Sequence, residues 1–267
     1  FTGVDCRMMQ KPSSLTYGES SILLVAGVEM QTLTPSFLGD GPQNWFVNPR
    51  LPDGLSLDGG SGVIGGTPEA EAIETRYTII GTNAMGSAAT TIDITVVAAA
   101  PYSIQYLSDF LSCTLGEECP MDPPMVMGGA ADAWSTSPPL PEGLVILDDG
   151  SITGIARTLD DSNHTVTASN SGGSVETLIR IITLHEEPTA LSYPGHPFYW
   201  TIGVSVQVIP SSEGGEIIDW SIEPPLPEGV ALHQIDGSLR GTPISVLPLR
   251  EYEITVYNTG GSLSTTI

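Results

Sequence analysis

Basic side chains are scarce in this chain of 267 residues, which has 8 lysines and arginines against 31 aspartates and glutamates. Lys11 is the only lysine, and the formal net charge is −23. A surface of this sign repels phosphate backbones and anionic lipid heads, so we expect neither nucleic acid nor a membrane surface as a partner. No run of about 18 apolar residues is present either, and we expect no membrane insertion of this segment.

Cysteine is also scarce, with three residues in the chain. Cys113 and Cys119 are six apart in CTLGEEC, and this spacing predicts a local disulfide worth about 2 kcal/mol by loop-entropy arguments. Cys6 is left over, and three alternatives stay open: it pairs with a further segment of chain, pairs with a partner, or is free. The cysteine pattern favours an oxidising compartment.

Catalytic signatures are missing as well. The sequence contains no GxSxG elbow, Walker loop, HExxH or CxxC motif. The four histidines fall at unrelated places, and His164 stands where a core tyrosine would be expected from the repeats described next. We therefore predict no catalytic and no cofactor-binding residue, and expect that the chain is not an enzyme.

What the chain does contain is a threefold internal repeat. A corner motif occurs three times, as LPDGL at 51–55, LPEGL at 140–144 and LPEGV at 226–230. Three further landmarks recur in step with it: a tyrosine before it (Tyr17, Tyr106, Tyr193), a glycine-containing returning strand after it (63–68, 151–156, 238–243) and an asparagine–glycine hairpin (Asn83, Asn170, Asn258). Self-similarity at a period near 87 residues predicts tandem copies of one domain.

The residues around these landmarks alternate as half-buried strands do. Tyr77, Ile79 and Gly81 share one face of a strand, and the corresponding positions of the other copies are also mainly apolar, with His164 in the place of the tyrosine in copy 2. A tryptophan stands six residues before each corner leucine, as Trp45, Trp134 and Trp220. A recurring tryptophan on an apolar strand face is typical of the core of an immunoglobulin-like sandwich.

The predicted architecture is all-β, with three tandem immunoglobulin-like β-sandwich domains arranged as a rod. We place domain 1 at 15–98, domain 2 at 102–185 and domain 3 at 189–267, whose last strand is truncated. The joints AAAP at 98–101 and HEEPT at 185–189 are short and contain proline, so they should be semi-rigid. Residues 1–14 match no part of the repeat and stay unassigned.

The signature LPxGL, then GxIxGTP, then YTxxxTNxxG resembles the He_PIG-type Ig-like domain, a relative of cadherin-like modules. The resemblance covers about 250 residues, and copy 2 departs from it with GIA in place of GTP. Such repeats occur in long arrays in bacterial surface proteins and in algal and protist surface proteins, including mastigoneme (flagellar-hair) proteins. The resemblance therefore implies a cell-surface location and a structural or adhesive role, with no catalytic residues.

Three other features could bind or be modified. Clustered carboxylates make Glu186, Glu187, Asp160 and Asp161 weak candidates for a calcium site, and solvated acidic loops are the favoured interpretation. Asn163 opens an N-glycosylation sequon, Asn163-His164-Thr165. The run PFYW supplies Phe198, Tyr199 and Trp200 as candidate ligand-contact aromatics, although a half-buried strand residue is the favoured interpretation of Trp200.

Three functions follow for testing. The first is a non-catalytic extracellular structural or adhesive array, acting as a spacer or as a filament-forming segment of a larger surface protein. Its partners would be other copies of itself, other surface proteins or glycans. The second is a carbohydrate- or ligand-binding module that uses the aromatic run. The third is the stalk of a surface enzyme whose catalytic domain lies elsewhere.

Overall fold

The computed structural model describes residues 8–267 as strands, turns and loops, with no helix in that range. Cys6 and the start of the unassigned segment lie outside the described residues. We number the strands of this range in chain order and call the three sequence copies repeats 1, 2 and 3. The predicted fold class is confirmed: the chain is a tandem series of Ig-like β-sandwich domains.

Repeat 1 contributes the first eight strands. They are β1 (Ser13–Thr16), β2 (Ser21–Val25), β3 (Ser36–Leu38), β4 (Asn44–Asn48), β5 (Leu55–Leu57), β6 (Ile64–Gly66), β7 (Ala72–Asn83) and β8 (Gly86–Val97). The larger sheet has the order β2-β8-β7-β4, with β1-β3 and β5-β6 as smaller pairs. Strand β2 runs parallel to β8, whereas the other pairs are antiparallel.

Repeat 2 contributes eight strands in the same sequence order. They are β9 (Pro101–Gln105), β10 (Phe110–Thr114), β11 (Met125–Gly128), β12 (Ala133–Ser137), β13 (Leu144–Ile146), β14 (Ile152–Gly154), β15 (Asp160–Asn170) and β16 (Gly173–Leu184). Its sheets have the orders β10-β16-β15-β12, β11-β9 and β13-β14, and β10 is again parallel to β16.

Repeat 3 contributes the last eight strands but pairs them differently. They are β17 (Pro188–Ser192), β18 (Val206–Val208), β19 (Ser211–Gly214), β20 (Asp219–Glu223), β21 (Val230–Leu232), β22 (Leu239–Gly241), β23 (Glu253–Tyr257) and β24 (Ser262–Thr266). The sheets are β20-β23-β24, β18-β22-β21 and β17-β19. Strands β23 and β24 have 5 residues each, against 12 each for β7 and β8.

By their contacts the residues group into two compact units. The first runs up to Gln105 and also takes Met125–Trp134 and Thr167–Thr177 of repeat 2. The second takes Tyr106–Pro124, Ser135–Val166 and Leu178–Ile267. Each joint between repeats therefore lies inside one compact unit.

The cores follow the alternation of the sequence. On β8, Ile92, Ile94 and Val96 are buried while the residues between them are less so, which places one face of the strand in the core of repeat 1. Trp45 packs in the same cluster, and Trp220 takes the corresponding place in repeat 3. Trp134 on β12 is only partly buried.

The corner motif is explained by a pair of facing glycines. Gly143 has φ +94° and Gly154 has φ +129°, both in the left-handed half of backbone space that favours glycine. A Cβ on Gly143 would overlap the carbonyl oxygen of Ile155, and a Cβ on Gly154 would overlap that of Gly143. Repeats 1 and 3 show the same crowding at the pairs Gly54/Gly66 and Gly229/Gly241.

Candidate functional site

In each repeat the hydroxyl of the recurring tyrosine forms a hydrogen bond to a distant turn. The hydroxyl donates to a turn carbonyl more than forty residues away: Tyr17 to Gly62 (2.5 Å), Tyr106 to Gly150 (2.6 Å) and Tyr193 to Gly237 (2.6 Å). Burial raises the pKa of all three phenols, and that of Tyr106 to about 12 with a further contribution from the charge of Asp149. The tyrosines are thus structural anchors.

The turn that receives each tyrosine is shaped by an aspartate. Asp58, Asp149 and Asp236 each accept hydrogen bonds from the side chain and backbone of a nearby serine, namely Ser61, Ser151 and Ser238. These bonds lower the pKa of the three carboxyls, and that of Asp236 to about 2, where His233 and Arg240 also contribute. Each carboxylate therefore accepts hydrogen bonds within its own turn and stabilises it.

The joint between repeats 1 and 2 is organised by Asn170 in the β15–β16 hairpin. Its side-chain nitrogen donates to the carbonyl oxygen of Ala99 (2.7 Å), which belongs to the linker, and to that of Ala130 (2.9 Å). Its side-chain oxygen accepts from the backbone N–H groups of Gly172 (2.9 Å) and Gly173 (3.2 Å). One side chain therefore shapes the hairpin and fixes the linker.

The next residue of the hairpin reaches back to repeat 1. The hydroxyl of Ser171 accepts from the N–H of Ala98 (2.8 Å) and donates to the carboxylate of Glu71 (2.6 Å). Gly172 lies so close to the linker that a Cβ on it would overlap the carbonyl oxygen of Ala98. Linker and hairpin are in direct backbone contact, and a carboxylate of repeat 1 completes the joint.

The second joint repeats the arrangement, with a threonine in place of the serine. Asn258 donates to the carbonyl oxygen of Glu186 (2.7 Å) and accepts from Gly260 (2.8 Å) and Gly261 (3.0 Å). Thr259 accepts from the backbone N–H of His185 (2.9 Å), and its hydroxyl is also 2.9 Å from Nδ1 of the same histidine. Both joints therefore use an asparagine followed by a hydroxyl residue.

The same asparagine in repeat 1 holds a segment that the sequence left unassigned. Asn83 donates to the carbonyl oxygens of Gln10 (2.9 Å) and Asp40 (3.1 Å) and accepts from the N–H of Met85 (2.9 Å). Gln10 thus occupies the place that Ala99 and Glu186 have in the later repeats. Sequence reasoning identified the asparagines as turn residues but missed their bonds to the linker, which depend on distant chain segments.

The aromatic run lines a cleft of about 280 Å³ within repeat 3. Phe198 and Trp200 stack with their ring centres 5.5 Å apart and both pack against the core of the repeat. Tyr199 is 81% exposed. The cleft is also lined by the exposed apolar side chains of Val246, Leu247 and Leu249.

Two further sequence candidates have defined places. Cys113 on β10 and Cys119 are joined by a disulfide, with their Cα atoms 5.4 Å apart, and both residues are buried. Asn163 lies on β15 with its side chain exposed, one residue before the buried His164.

The four calcium candidates have other partners or lie apart. Arg180 binds both carboxylate oxygens of Asp161, and Asp160 accepts from the Ser162 hydroxyl (2.8 Å). Glu186 offers its backbone carbonyl to the second joint, next to Glu187. Within residues 8–267 no group of three or more His, Cys, Asp or Glu side chains is arranged to hold a metal ion.

Asp160, Ser162 and His164 lie together on β15 but not as a hydrolytic triad. The serine hydroxyl (2.9 Å) and the aspartate carboxylate (3.2 Å) both face Nε2 of the histidine, while Nδ1 donates to the carbonyl oxygen of Pro138 (3.1 Å). In a catalytic triad the acid and the nucleophile contact opposite ring nitrogens. His164 is also only 1% exposed, so this group contributes to the packing of the core.

Across the described range, residues 8–267, no helix is long and apolar enough to span a membrane.

The chain is similar to one family model over part of its length and to several solved structures. Residues 16–97 match the model of a family described as "He_PIG: Putative Ig domain". A comparison with curated proteins found no match. Similar solved structures include Sidekick-1 immunoglobulin domains 1–5, with 17% identity and a TM-score of 0.43 over 98% of this chain and 59% of that one. This chain thus spans about three fifths of the Sidekick-1 fragment.

Two other solved structures align along most of both chains. An I-band fragment of titin has 14% identity and a TM-score of 0.42, over 97% of this chain and 98% of that one. Extracellular domains 3–5 of Drosophila OTK have 14% identity and a TM-score of 0.35, over 94% and 95%. The match to the He_PIG family model covers residues 16–97, and by its strands and sheets the chain is a tandem series of Ig-like repeats.

Proposed function

We propose that this chain is a non-catalytic extracellular array, in which Ig-like repeats act as an adhesive or structural spacer within a larger surface protein. The observation that carries the proposal is the recurrence of one joint design. At each joint an asparagine binds the linker carbonyl, and the following hydroxyl residue binds a linker N–H. A chain that served only to tether domains would not need such bonds.

The joint design has a mechanical consequence. Short proline-containing linkers are already semi-rigid. Here the linker is also hydrogen-bonded to the hairpin of the repeat that follows, so bending at the joint requires these bonds to break. Each of these hydrogen bonds is worth about 0.5–1.5 kcal/mol net, and together they oppose bending at the joint. An array with such joints transmits load and keeps a defined spacing.

The chemistry of the chain supports a place outside the cell. The Cys113–Cys119 disulfide is of the kind that persists in oxidising compartments. Asn163 presents its sequon on an exposed strand position, where a glycan can be attached. A formal net charge of −23 keeps such arrays soluble and disfavours polyanions such as nucleic acid. We propose other copies of the chain, other surface proteins or glycans as partners.

A carbohydrate platform on the aromatic run is less well supported. Sugar stacking needs an accessible ring face, and Phe198 and Trp200 pack against the core of repeat 3. Tyr199 is the exposed ring of the three.

The proposal is tested by measuring how freely the first joint bends. Spin labels in repeats 1 and 2 report the distribution of inter-repeat distances by pulsed electron spin resonance. We expect Asn170→Ala with Ser171→Ala to broaden that distribution clearly, while the exposed hairpin-strand variant Ser174→Ala leaves it unchanged. An equally narrow distribution in the double variant would show that the joint bonds do not set the spacing, and the proposal would lose its main support.

The adhesive part has its own readout. Beads coated with the chain should aggregate if copies bind each other, or bind beads coated with surface glycans if glycans are the partner. If the coated beads neither aggregate nor bind glycan-coated beads, the adhesive role is refuted and the spacer role remains.

A further inference from the structure

In repeats 1 and 2 a strand near the start of the repeat is paired with the strand that ends it. Strand β2 lies parallel to the end of β8, with Ser21 opposite Asp93 and Val25 opposite Val97. In repeat 2, β10 and the end of β16 are paired in the same way. Because the strands are parallel, the chain enters the pair at one end and leaves it at the other. We call each of these strand pairs a terminal ladder.

The direction of the strands decides how tension acts on a terminal ladder. Pulling the two ends of repeat 1 apart draws Ser21 and Val97 in opposite directions along the strands, so that β2 slides past β8. All hydrogen bonds of the ladder are then strained together. In an antiparallel pair the chain would enter and leave at the same end, and the bonds would break one after another. A parallel terminal ladder therefore resists tension better than an antiparallel one with equally many bonds.

Both terminal ladders are closed at each end by a backbone hydrogen bond. In repeat 1 the N–H of Asp93 donates to the carbonyl oxygen of Ser20, and that of Ala26 to Val97, both at 2.9 Å. In repeat 2 the corresponding bonds, both 2.7 Å long, run from Arg180 to Asp109 and from Leu115 to Leu184. The two repeats therefore share the pairing of the strands and the bonds that close it.

The recurring tyrosine lies on the chain just before each terminal ladder. Tyr17 stands four residues before the first residue of β2, and Tyr106 stands four residues before that of β10. Their hydroxyls are held by the carbonyls of distant turns, at 2.5 and 2.6 Å. Tension that has pulled β1 away from β3 therefore reaches Tyr17 next and then the ladder.

We propose that the terminal ladders β2–β8 and β10–β16 are the elements that resist tension along the array, and that each sets the rate at which its repeat unfolds under load. The inference rests on the proposed role of the chain as a spacer that transmits load. It gives a mechanical function to one edge of the larger sheet. The opposite edge, formed by β4 or β12, lies outside the path of the force.

The experiment holds the full chain by its two ends at constant force, because unfolding under force is governed by the unfolding rate. Ala26→Pro removes the N–H that closes the terminal ladder of repeat 1. The matched control Gln43→Pro removes one bond at the opposite edge of the same sheet, where Gln43 donates to the carbonyl oxygen of Thr82 (2.7 Å). Each change deletes one backbone bond next to the end of a strand, so urea unfolding should show similar losses of stability.

A copied disulfide identifies the unfolding step of repeat 1. Leu24 and Met30 stand at the positions after Tyr17 that Cys113 and Cys119 hold after Tyr106. Leu24→Cys with Met30→Cys places the disulfide of repeat 2 in repeat 1, which keeps the residues between the two cysteines out of the extended chain. The step that becomes shorter by about 15 Å belongs to repeat 1.

We expect Ala26→Pro to raise the unfolding rate of repeat 1 at constant force by about fivefold, because the deleted bond is one that must break in the transition state. Gln43→Pro should leave that rate unchanged, and neither variant should affect repeats 2 and 3. The proposal is overturned if the two variants accelerate unfolding equally, or if Ala26→Pro has no effect.

If Ala26→Pro prevents repeat 1 from folding, its step is missing from the records, and the comparison moves to repeat 2. There Leu115→Pro removes the closing bond of the terminal ladder, and Asp132→Pro removes the bond from Asp132 to the carbonyl oxygen of Ser169 (2.8 Å) at the opposite edge. The same two outcomes decide. Spin-label distances test the joints separately, so failure of the ladders is distinguishable from failure of the spacer role.

Discussion

Replacing the disulfide of repeat 2 gives the sharpest stability test. Cys113 and Cys119 stand seven and thirteen residues after Tyr106, the positions that Leu24 and Met30 hold after Tyr17. The N–H of Cys119 donates to the carbonyl of Gly154 as that of Met30 donates to Gly66. The disulfide therefore replaces an apolar pair at the rim of the sandwich.

The double variant Cys113→Ser with Cys119→Ser loses two contributions. Opening a loop with a separation of 6 residues costs about 2 kcal/mol through the entropy of the unfolded chain. The two sites are 2% and 3% exposed, so each new hydroxyl needs an acceptor. The one at position 119 can use the carbonyl of Ser112, which the sulfur already approaches at 3.7 Å, and the other adds about 1–3 kcal/mol. We expect a total of about 3–5 kcal/mol.

The loss should be confined to repeat 2. Hydrogen exchange of its strands reports the free energy of opening, while repeats 1 and 3 serve as internal references. We expect exchange in β10 and β16 to accelerate roughly 100-fold or more. The control Cys113→Leu with Cys119→Met copies the pair of repeat 1 and should recover part of the loss. Unchanged exchange in the serine variant, or equal acceleration in all three repeats, would refute the reasoning.

Three further predictions concern the anchors, the corner and metal ions. The folded chain raises the pKa of Tyr17, Tyr106 and Tyr193 above the ordinary value near 10, so the unfolded state loses these protons first as the pH rises. The free energy of unfolding should therefore fall above pH 10 by about 1.4 kcal/mol per pH unit for each tyrosine, until the folded group ionises, which for Tyr106 is at about 12. Urea titrations between pH 8 and 12 measure this, and a constant free energy of unfolding would contradict it. Gly143→Ala should destabilise repeat 2 by at least about 2 kcal/mol in thermal unfolding. The control Gly116→Ala has a similar φ of +86° but open space around it and should cost about 1–2 kcal/mol. Equal losses would show that overlap with the facing carbonyl does not matter. Chelation with EDTA should leave the melting temperature unchanged, because the carboxylates of the calcium candidates on β15 already have protein partners; a rise on adding calcium would show otherwise.

The joints could be located from the sequence but not described from it. The AAAP and HEEPT runs and the recurring asparagines are visible as a pattern. That Asn170 binds the carbonyl of Ala99, 71 residues away, requires the hairpin and the linker to meet in space. The participation of Glu71 was missed for the same reason, since the linker itself has no carboxylate.

The aromatic run shows the same division. Its composition suggested a binding platform, with a half-buried strand residue at Trp200 as the other interpretation. The tertiary structure decided that Phe198 and Trp200 pack inward and that a cleft lies beside them. Which of these rings faces the core depends on contacts with distant segments of the chain, which local sequence does not specify.

The sequence by itself determined the repeat, its period and the apolar faces of its strands, because these depend on the alternation of residues along short stretches of chain. It also marked the corner glycines, since a fixed backbone conformation leaves a fixed residue type. Only the tertiary structure decided what each tyrosine, asparagine and aspartate binds. Those outcomes depend on contacts between residues tens of positions apart, where the pattern of one segment says nothing about the atoms that will lie against it.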